Sequence, residues 1–203
     1  MILFGNGLLL SRTIKLLGAF DHRHVFLDPN PDPESSFIER SRLFNLPRSS
    51  WADYSKDALS TGGGVFSRTD KEITLSAECR DLLGVSESTL PPEVVIQKLL
   101  KLKVDMIWNG GIGTYFKSSD EEHSSVGDKI NDSLRVNACD IKAKVIAEGG
   151  NLGCTQKGRI EYARFGGRIN TDAIDNSGGV DLSDHEVNLK ILVAPLVAQG
   201  TLS

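Results

Sequence analysis

Glycine, asparagine and aspartate occur in this sequence at spacings that could bind a ligand carrying phosphate groups. The first such place is the turn Gly5-Asn6-Gly7, which lies between an apolar run and a predicted helix. Glycine there would let the backbone approach a pyrophosphate, whose negative charge a helix N-terminus favours. The glycine pattern G-x-G-x-x-G is incomplete, so the turn considered alone fits an ordinary tight turn at least as well.

Asp28 strengthens the nucleotide interpretation. It ends the next apolar run, about 20 residues after the turn, where a carboxylate accepts hydrogen bonds from the adenosine ribose hydroxyls. A carboxylate in that position also repels a 2′-phosphate, so the sequence predicts NAD rather than NADP as the cofactor. The alternative is an ordinary aspartate at a helix entry, since Pro29 follows it.

Two glycine-rich segments follow later apolar runs. One opens with Asn109-Gly110, and the other is residues 148–151, from Glu148 to Asn151. The conformational freedom of glycine suits both segments either to close approach of a ligand or to simple left-handed turns. We expect both to lie at one edge of the sheet, which favours the ligand interpretation.

Residues 170–180 form the most distinctive polar segment of the chain. Within it, the Asn176 amide offers both a donor and an acceptor, which suits a carboxamide or a ribose. The alternative is a capped turn around Gly178-Gly179.

Apolar strands alternate with amphipathic helices along the chain. We expect strands at residues 1–4, 24–27, 104–108, 144–147 and 168–170, helices at 6–20, 33–44, 76–83, 91–103 and 155–165, and a terminal helix opened near residue 183 by a capping box of Ser183 and Glu186. Residues 47–68 are expected to be an ordered excursion anchored by Trp51 and Tyr54.

This alternation predicts an α/β fold of the Rossmann-like, doubly wound type. We expect a single domain over residues 1–203, with a mostly parallel sheet and helices on both faces. In such sheets, ligands bind at the carboxyl ends of the strands. The turns after Gly5, Asp28, Asn109 and Glu148 should therefore meet along one edge.

Composition excludes several other classes of protein. The net charge of −4 argues against binding a nucleic acid by charge alone, and no apolar run approaches the roughly 20 residues of a membrane span. Three scattered cysteines indicate reduced thiols in a cytoplasmic protein. We expect no metal site, since the four histidines lack metal-ligand spacing, and no hydrolase, since a G-x-S-x-G elbow is missing.

Several runs resemble the glutamate dehydrogenases. The segment from Asp172 to Val180 resembles their aspartate, asparagine and Gly-Gly-Val segment, residues 145–151 resemble their strand ending in Ala-Glu-Gly-Ala-Asn, and Phe4-Gly5-Asn6 resembles their turn. The very large bacterial NAD-specific type is closer still. Its catalytic region contains runs similar to residues 4–7, 19–24, 28–32, 46–51 and 108–114, so the resemblance covers nearly the whole chain.

The resemblance implies hydride transfer from L-glutamate to NAD, which yields 2-oxoglutarate and ammonia. It assigns the pyrophosphate to Gly5, Asn6 and Gly7, the ribose to Asp28, the adenosine side to Asn109 and Gly110, the nicotinamide side to Glu148 and Asn151, nicotinamide ribose or substrate to Asn176, and the substrate carboxylate to Ser183.

The resemblance also implies that catalysis needs more than this chain. The family's catalytic lysine and aspartate lie in a substrate domain that precedes the dinucleotide domain, and nothing here matches that domain. We expect a fragment of a larger chain, inactive by itself and homo-oligomeric at full length. Two alternatives remain open: another NAD-dependent amino-acid dehydrogenase, or a non-catalytic nucleotide-sensing module.

Overall fold

The fold is built around a central β-sheet. The computed structural model describes residues 2–4 and 8–202, except for the side chains of residues 2–4, Val180 and Ser183. The strands of the described residues are β1 (Ile2–Phe4), β2 (Gly18–Phe20), β3 (His24–Leu27), β4 (Gly64–Ser67), β5 (Ile73–Thr74), β6 (Thr89–Leu90), β7 (Met106–Asn109), β8 (Phe116–Lys117), β9 (Val136–Asn137), β10 (Val145–Glu148) and β11 (Arg168–Ile169).

Seven of these strands form the largest sheet of the described residues, in the order β11-β10-β7-β1-β2-β3-β4. Strands β11, β10, β7, β1 and β2 are parallel, β3 is antiparallel to β2, and β4 is antiparallel to β3. The chain therefore builds outward from β1, first to one side and then to the other. The α/β class predicted from the sequence is confirmed, and the sheet is mixed.

Helices begin where the sequence supplies caps. Asp32 accepts a hydrogen bond from the Ser35 N–H at 2.8 Å and so caps one helix. Ser76 and Thr155 cap two further helices in the same way, each accepting from the N–H three residues later. The helices of the described residues are α1 (Pro33–Asn45), α2 (Ala77–Leu83), α3 (Pro92–Leu100), α4 (Gln156–Arg164), α5 (Asp172–Asp175) and α6 (Ser177–Ala198).

Apolar side chains cover both faces of the sheet. Phe20 and Ile107 belong to a large cluster that includes residues of α2, α3 and α4. Ala19 and Phe26 belong to a second cluster that includes Leu43 of α1 and Trp51. Successive strand residues point to opposite faces, so the two clusters occupy opposite sides of the sheet.

Most of the predicted elements are confirmed. The strands expected at 24–27, 104–108, 144–147 and 168–170 and the helices expected at 33–44, 76–83, 91–103 and 155–165 occur with small shifts at their ends. The excursion over residues 47–68 is ordered, since Trp51 and Tyr54 are buried in it.

The helix predicted over residues 6–20 is wrong. The described part of that segment contains no helix, and Gly18–Phe20 forms β2. Leu16, Ala19 and Phe20 are all buried. A strand in the middle of a sheet is covered on both faces, so a continuous apolar run fits it better than a helix with one apolar side.

The predicted start of the terminal helix is also wrong. Helix α6 begins at Ser177, and Ser183 lies inside it rather than at its cap. Asn176 takes the cap position without a side-chain cap hydrogen bond, and a Cβ at Gly179 would lie 2.3 Å from its amide oxygen. Gly179 therefore leaves room for the Asn176 side chain, and both glycines continue the helix instead of breaking it.

Within the described ranges no helix combines the length and apolar character needed to cross a bilayer. No group of three potential metal ligands occurs among the same residues. Cys79, Cys139 and Cys154 are free thiols.

Candidate functional site

The carboxyl ends of β7 and β10 bring two predicted residues together. Asn109 and Glu148 are partners in the strand register, and each ends its strand. Both side chains are almost completely buried. Asn109 and Glu148 lie two residues after Ile107 and Ile146 in their strands, so their side chains point to the same face of the sheet as those isoleucines. That is the face that α4 covers.

Each of these side chains has one buried polar atom without a protein partner in the described structure, Asn109 Nδ2 and Glu148 Oε1. A Cβ added at Gly153 would collide with the Asn109 nitrogen and lie 2.6 Å from the Glu148 oxygen. An amide donor and a carboxylate acceptor therefore lie side by side beneath the turn of residues 149–153.

The other carboxylate oxygen of Glu148 is paired with an arginine. Oε2 accepts a hydrogen bond from Arg159 Nη2 at 2.6 Å, and Arg159 also lies 3.7 Å from Asp172. Burial raises the pKa of Glu148, and the bond to Arg159 opposes that shift. The Glu148 main-chain N–H donates to Asp175 Oδ2 at 3.1 Å, so α4 and α5 both fix this strand end.

Asn151 and Asn176 also meet. The Asn176 amide nitrogen donates to Asn151 Oδ1 at 2.8 Å. One residue further on, the Leu152 N–H donates to Asp172 Oδ2 at 3.0 Å, and Leu152 has a left-handed φ of 56°. The glycine-rich turn after β10 is thus tied to the polar segment that opens α6.

The loop after β7 packs against this same turn. A Cβ at Gly150 would collide with the Gly111 carbonyl oxygen, and Thr114 Oγ1 donates to the Leu152 carbonyl at 2.7 Å. Gly110, which the sequence analysis selected, is exposed at the start of the loop. Glycine is required at Gly150 because the two backbones touch there.

A cleft of about 460 Å³ opens beside these loops at the same sheet edge. Its lining comes from the loop after β7, the segment between β8 and β9, the turn after β10, and the ends of β2 and β4. The lining residues are His22, Arg68, Ile112, Gly113, Thr114, Tyr115, Asp128, Ile130, Asn131, Asn151 and Leu152.

Asp28 does not join this group, and the expectation that it would meet Asn109 at one edge is wrong. Strand β3 runs antiparallel to β2, and Leu27 pairs with Gly18 at the start of β2. Asp28 therefore lies at the opposite edge of the sheet. It is fully buried, and Ser60 donates two hydrogen bonds to its carboxylate, one from N–H and one from the hydroxyl.

Four predicted site residues cannot be placed in the same detail. Gly5, Asn6 and Gly7 lie outside the described residues. Ser183 lies in α6, but its side chain is outside the described part of the structure.

Several residues that shape this edge were not among the predicted site residues. Arg159, the partner of Glu148, lies in the first turns of α4, directly after the glycine-rich turn. A basic residue there, next to a strand that ends in Glu, could have suggested the pair. Nothing local marked Arg68 or His22, because their place beside Asn151 depends on the arrangement of distant strands.

The sequence was also compared with known proteins. Residues 2–203 match the family described as "Bacterial NAD-glutamate dehydrogenase, catalytic domain". The proteins named NAD-specific glutamate dehydrogenase from Mycobacterium tuberculosis and Pseudomonas aeruginosa are each 56% identical over 98% of this chain. The protein of that name from Halomonas elongata is 54% identical over 98% of it. The chain spans only 12–13% of the length of these relatives.

Proposed function

Because this chain belongs to the bacterial NAD-glutamate dehydrogenase catalytic-domain family, we propose that it is the NAD-binding part of a glutamate dehydrogenase. The reaction proposed for the whole protein is oxidative deamination of L-glutamate to 2-oxoglutarate and ammonia. Bound NAD would supply the hydride acceptor, and the residues of this chain would bind and orient it. Names of relatives that are more than 50% identical support this proposal.

We further propose that the domain is Rossmann-like and doubly wound. Two features support this: β1 is central, with later strands added on both sides, and apolar clusters cover both faces. In such folds the strand order reverses beside the first strand, and ligands bind at the carboxyl ends there. Asn109 and Glu148 lie on one side of that point, two and three strands from β2.

One observation carries the cofactor proposal, namely the buried donor of Asn109 beside the buried acceptor of Glu148. Leaving such atoms unpaired costs about 1–3 kcal/mol each, so proteins seldom retain them without a use. A carboxamide such as that of nicotinamide presents the complementary oxygen and N–H₂. Because residues 149–153 cover both atoms, the proposal requires this turn to shift when a ligand enters.

The other proposed contacts are supported by a single hydrogen bond or by the resemblance. Asn151 and Asn176 would border the nicotinamide side, supported by their contact beside the cleft. Gly110 and Ser183 are proposed on the resemblance, as are Gly5, Asn6 and Gly7. Asp28 stays a sequence-based ribose prediction that its position at the other edge does not support.

The test is an NADH fluorescence titration of the 203-residue chain and of Asn109→Ala. We expect wild type to bind and Asn109→Ala to bind about 5- to 100-fold more weakly, the range of a lost hydrogen bond in a buried site. Asn45→Ala, at the exposed end of α1, is the matched control and should bind as wild type does. Absence of NADH binding by the folded wild type would refute the cofactor proposal.

The same purified chain tests whether catalysis requires residues from another domain of the whole protein. No lysine lines the described carboxyl-edge cleft, and the resemblance puts the catalytic lysine and aspartate in another domain. We therefore propose that this chain alone forms no NADH from glutamate. Glutamate-dependent NADH formation by the pure chain would contradict that proposal. The full-length protein is proposed to be a homo-oligomer.

A further inference from the structure

Arg68 is a half-buried cation at the carboxyl edge of the sheet. It follows directly after β4, which runs in the same direction as β2, so Arg68 lies at the same edge as Asn109 and Glu148. The Arg68 main-chain N–H donates to the Arg23 carbonyl at 2.8 Å, and its Nη1 donates to the Asp21 carbonyl at 2.8 Å. The first bond holds the Arg68 backbone beside the turn after β2, and the second holds its guanidinium at the Asp21 carbonyl.

No ion pair joins Arg68 to a carboxylate in the described structure, unlike the buried arginines nearby. Arg135 pairs with Asp132 at 2.6 Å, and Arg159 pairs with Glu148 at 2.6 Å. A guanidinium has five N–H donors, and the bonds described for the Arg68 side chain use one nitrogen. Arg68 therefore brings an uncompensated charge and free donors to the cleft.

Each of the two carboxylates around the cleft has one oxygen that accepts hydrogen bonds from protein groups. Asp128 accepts hydrogen bonds from the Thr114 N–H at 2.8 Å and from Asn131 Nδ2 at 2.7 Å. Asp21 Oδ1 accepts from two main-chain N–H groups of its own turn, both at 2.7 Å. The exposed His22 ring adds a further polar group to the lining. Among the described lining residues, Arg68 is the arginine, and its remaining guanidinium N–H groups are donors suited to anionic oxygens.

We infer that Arg68, with His22 beside it, forms a subsite for a diphosphate group, and that this diphosphate is the one that joins the two halves of NAD. The inference rests on the proposed NAD-binding function. A planar guanidinium matches phosphate oxygens in a bidentate fork. Although Arg68 follows β4, its guanidinium reaches the Asp21 carbonyl directly after β2, so the subsite and the Asn109–Glu148 pair flank β1 at one edge. Strands β10 and β2 are about 14 Å apart at the usual strand spacing. One extended ligand could therefore contact both places.

The experiment measures binding of NADH, inorganic pyrophosphate and adenosine to the 203-residue chain by calorimetry. The variants are Arg68→Gln, Arg68→Lys and the control Arg23→Gln, an exposed arginine that does not line the cleft. Thermal unfolding verifies that each variant is folded. Arg68→Lys keeps the charge without the fork, so it provides a milder variant if Arg68→Gln unfolds.

We expect Arg68→Gln to bind NADH and pyrophosphate about 10- to 100-fold more weakly, the effect of losing a charge-assisted hydrogen bond. Arg68→Lys should lose less affinity. Adenosine lacks phosphate, so it should bind equally to wild type and to Arg68→Gln. The control Arg23→Gln should bind all three ligands as wild type does.

The other outcomes separate the two proposals. NADH binding that is unchanged in Arg68→Gln overturns the subsite and leaves the cofactor function standing. Pyrophosphate binding that depends on Arg68, without any NADH binding, supports a diphosphate subsite but overturns both its assignment to NAD and the cofactor function. Wild type that binds neither ligand overturns both, and an equal loss of adenosine affinity in Arg68→Gln overturns the subsite.

Discussion

At the scale of single residues, the surroundings of a carboxylate decide its ionisation. Asp28 and Asp32 are four positions apart, and their pKa values shift in opposite directions. Burial raises the pKa of Asp28 above its ordinary 3.8, although hydrogen bonds from Ser60 oppose the shift. Hydrogen bonds from Ser35 lower the pKa of Asp32 below the same value. Only the three-dimensional setting separates these two aspartates.

This contrast predicts opposite pH dependences of stability. The raised pKa of Asp28 means that its contribution is fully present below 3.8 and is lost as the pH rises through the folded-state pKa. Asp28→Asn removes that loss, so the variant should gain stability relative to wild type as the pH rises from about 4 to about 7. Urea unfolding across this range measures the difference.

Asp32→Asn is the matched control for this experiment. The lowered pKa of Asp32 means that its contribution is present above 3.8 and is lost as the pH falls through the folded-state pKa. This variant should be less stable than wild type at neutral pH, and the deficit should shrink only in acid below that value. If both variants followed one pH trend, the assigned environments would be wrong.

At the scale of elements, sequence patterns located strand ends better than strand directions. The apolar runs before Asn109 and Glu148 correctly predicted two strands that end at a shared edge, because neighbouring parallel strands finish together. The run before Asp28 was equally clear. Its strand is antiparallel, and an apolar run carries no information about direction, so the predicted position of Asp28 failed.

Glycines show the same limit, because a glycine in a sequence does not reveal what touches it. A Cβ at Gly153 would collide with the Asn109 amide nitrogen, whereas nothing lies within 4 Å of a Cβ at Gly178 in α6. We expect Gly153→Ala to lose about 1–3 kcal/mol of unfolding free energy, the cost of overpacking. Gly178→Ala should instead gain about 0.5–1 kcal/mol, since alanine favours a helix. Chemical denaturation of both variants measures the two effects, and equal destabilisation would contradict this account of the turn.

At the scale of the whole molecule, apolar burial is distributed unevenly. The two clusters on the sheet faces contain no residue of α6 among their described members. Leu182, Ile191 and Leu192 of that helix are each at least 67% exposed. The sequence predicted a terminal helix but not this exposure, because a capping box does not reveal which neighbour, if any, covers a face.

Local stability should follow this distribution. Helices in proteins gain most of their stability from tertiary packing, and α6 draws little support from the sheet, so its amides should exchange hydrogen much faster than those of β3, β7 and β10. Deleting residues 177–203 should leave the melting temperature of the remaining chain within a few degrees of wild type, because the apolar clusters stay intact. Hydrogen exchange read by mass spectrometry and a thermal scan of the shortened chain test both points. Slow exchange throughout α6, or unfolding of the shortened chain, would mean that the helix packs against the sheet in solution and contributes to its core.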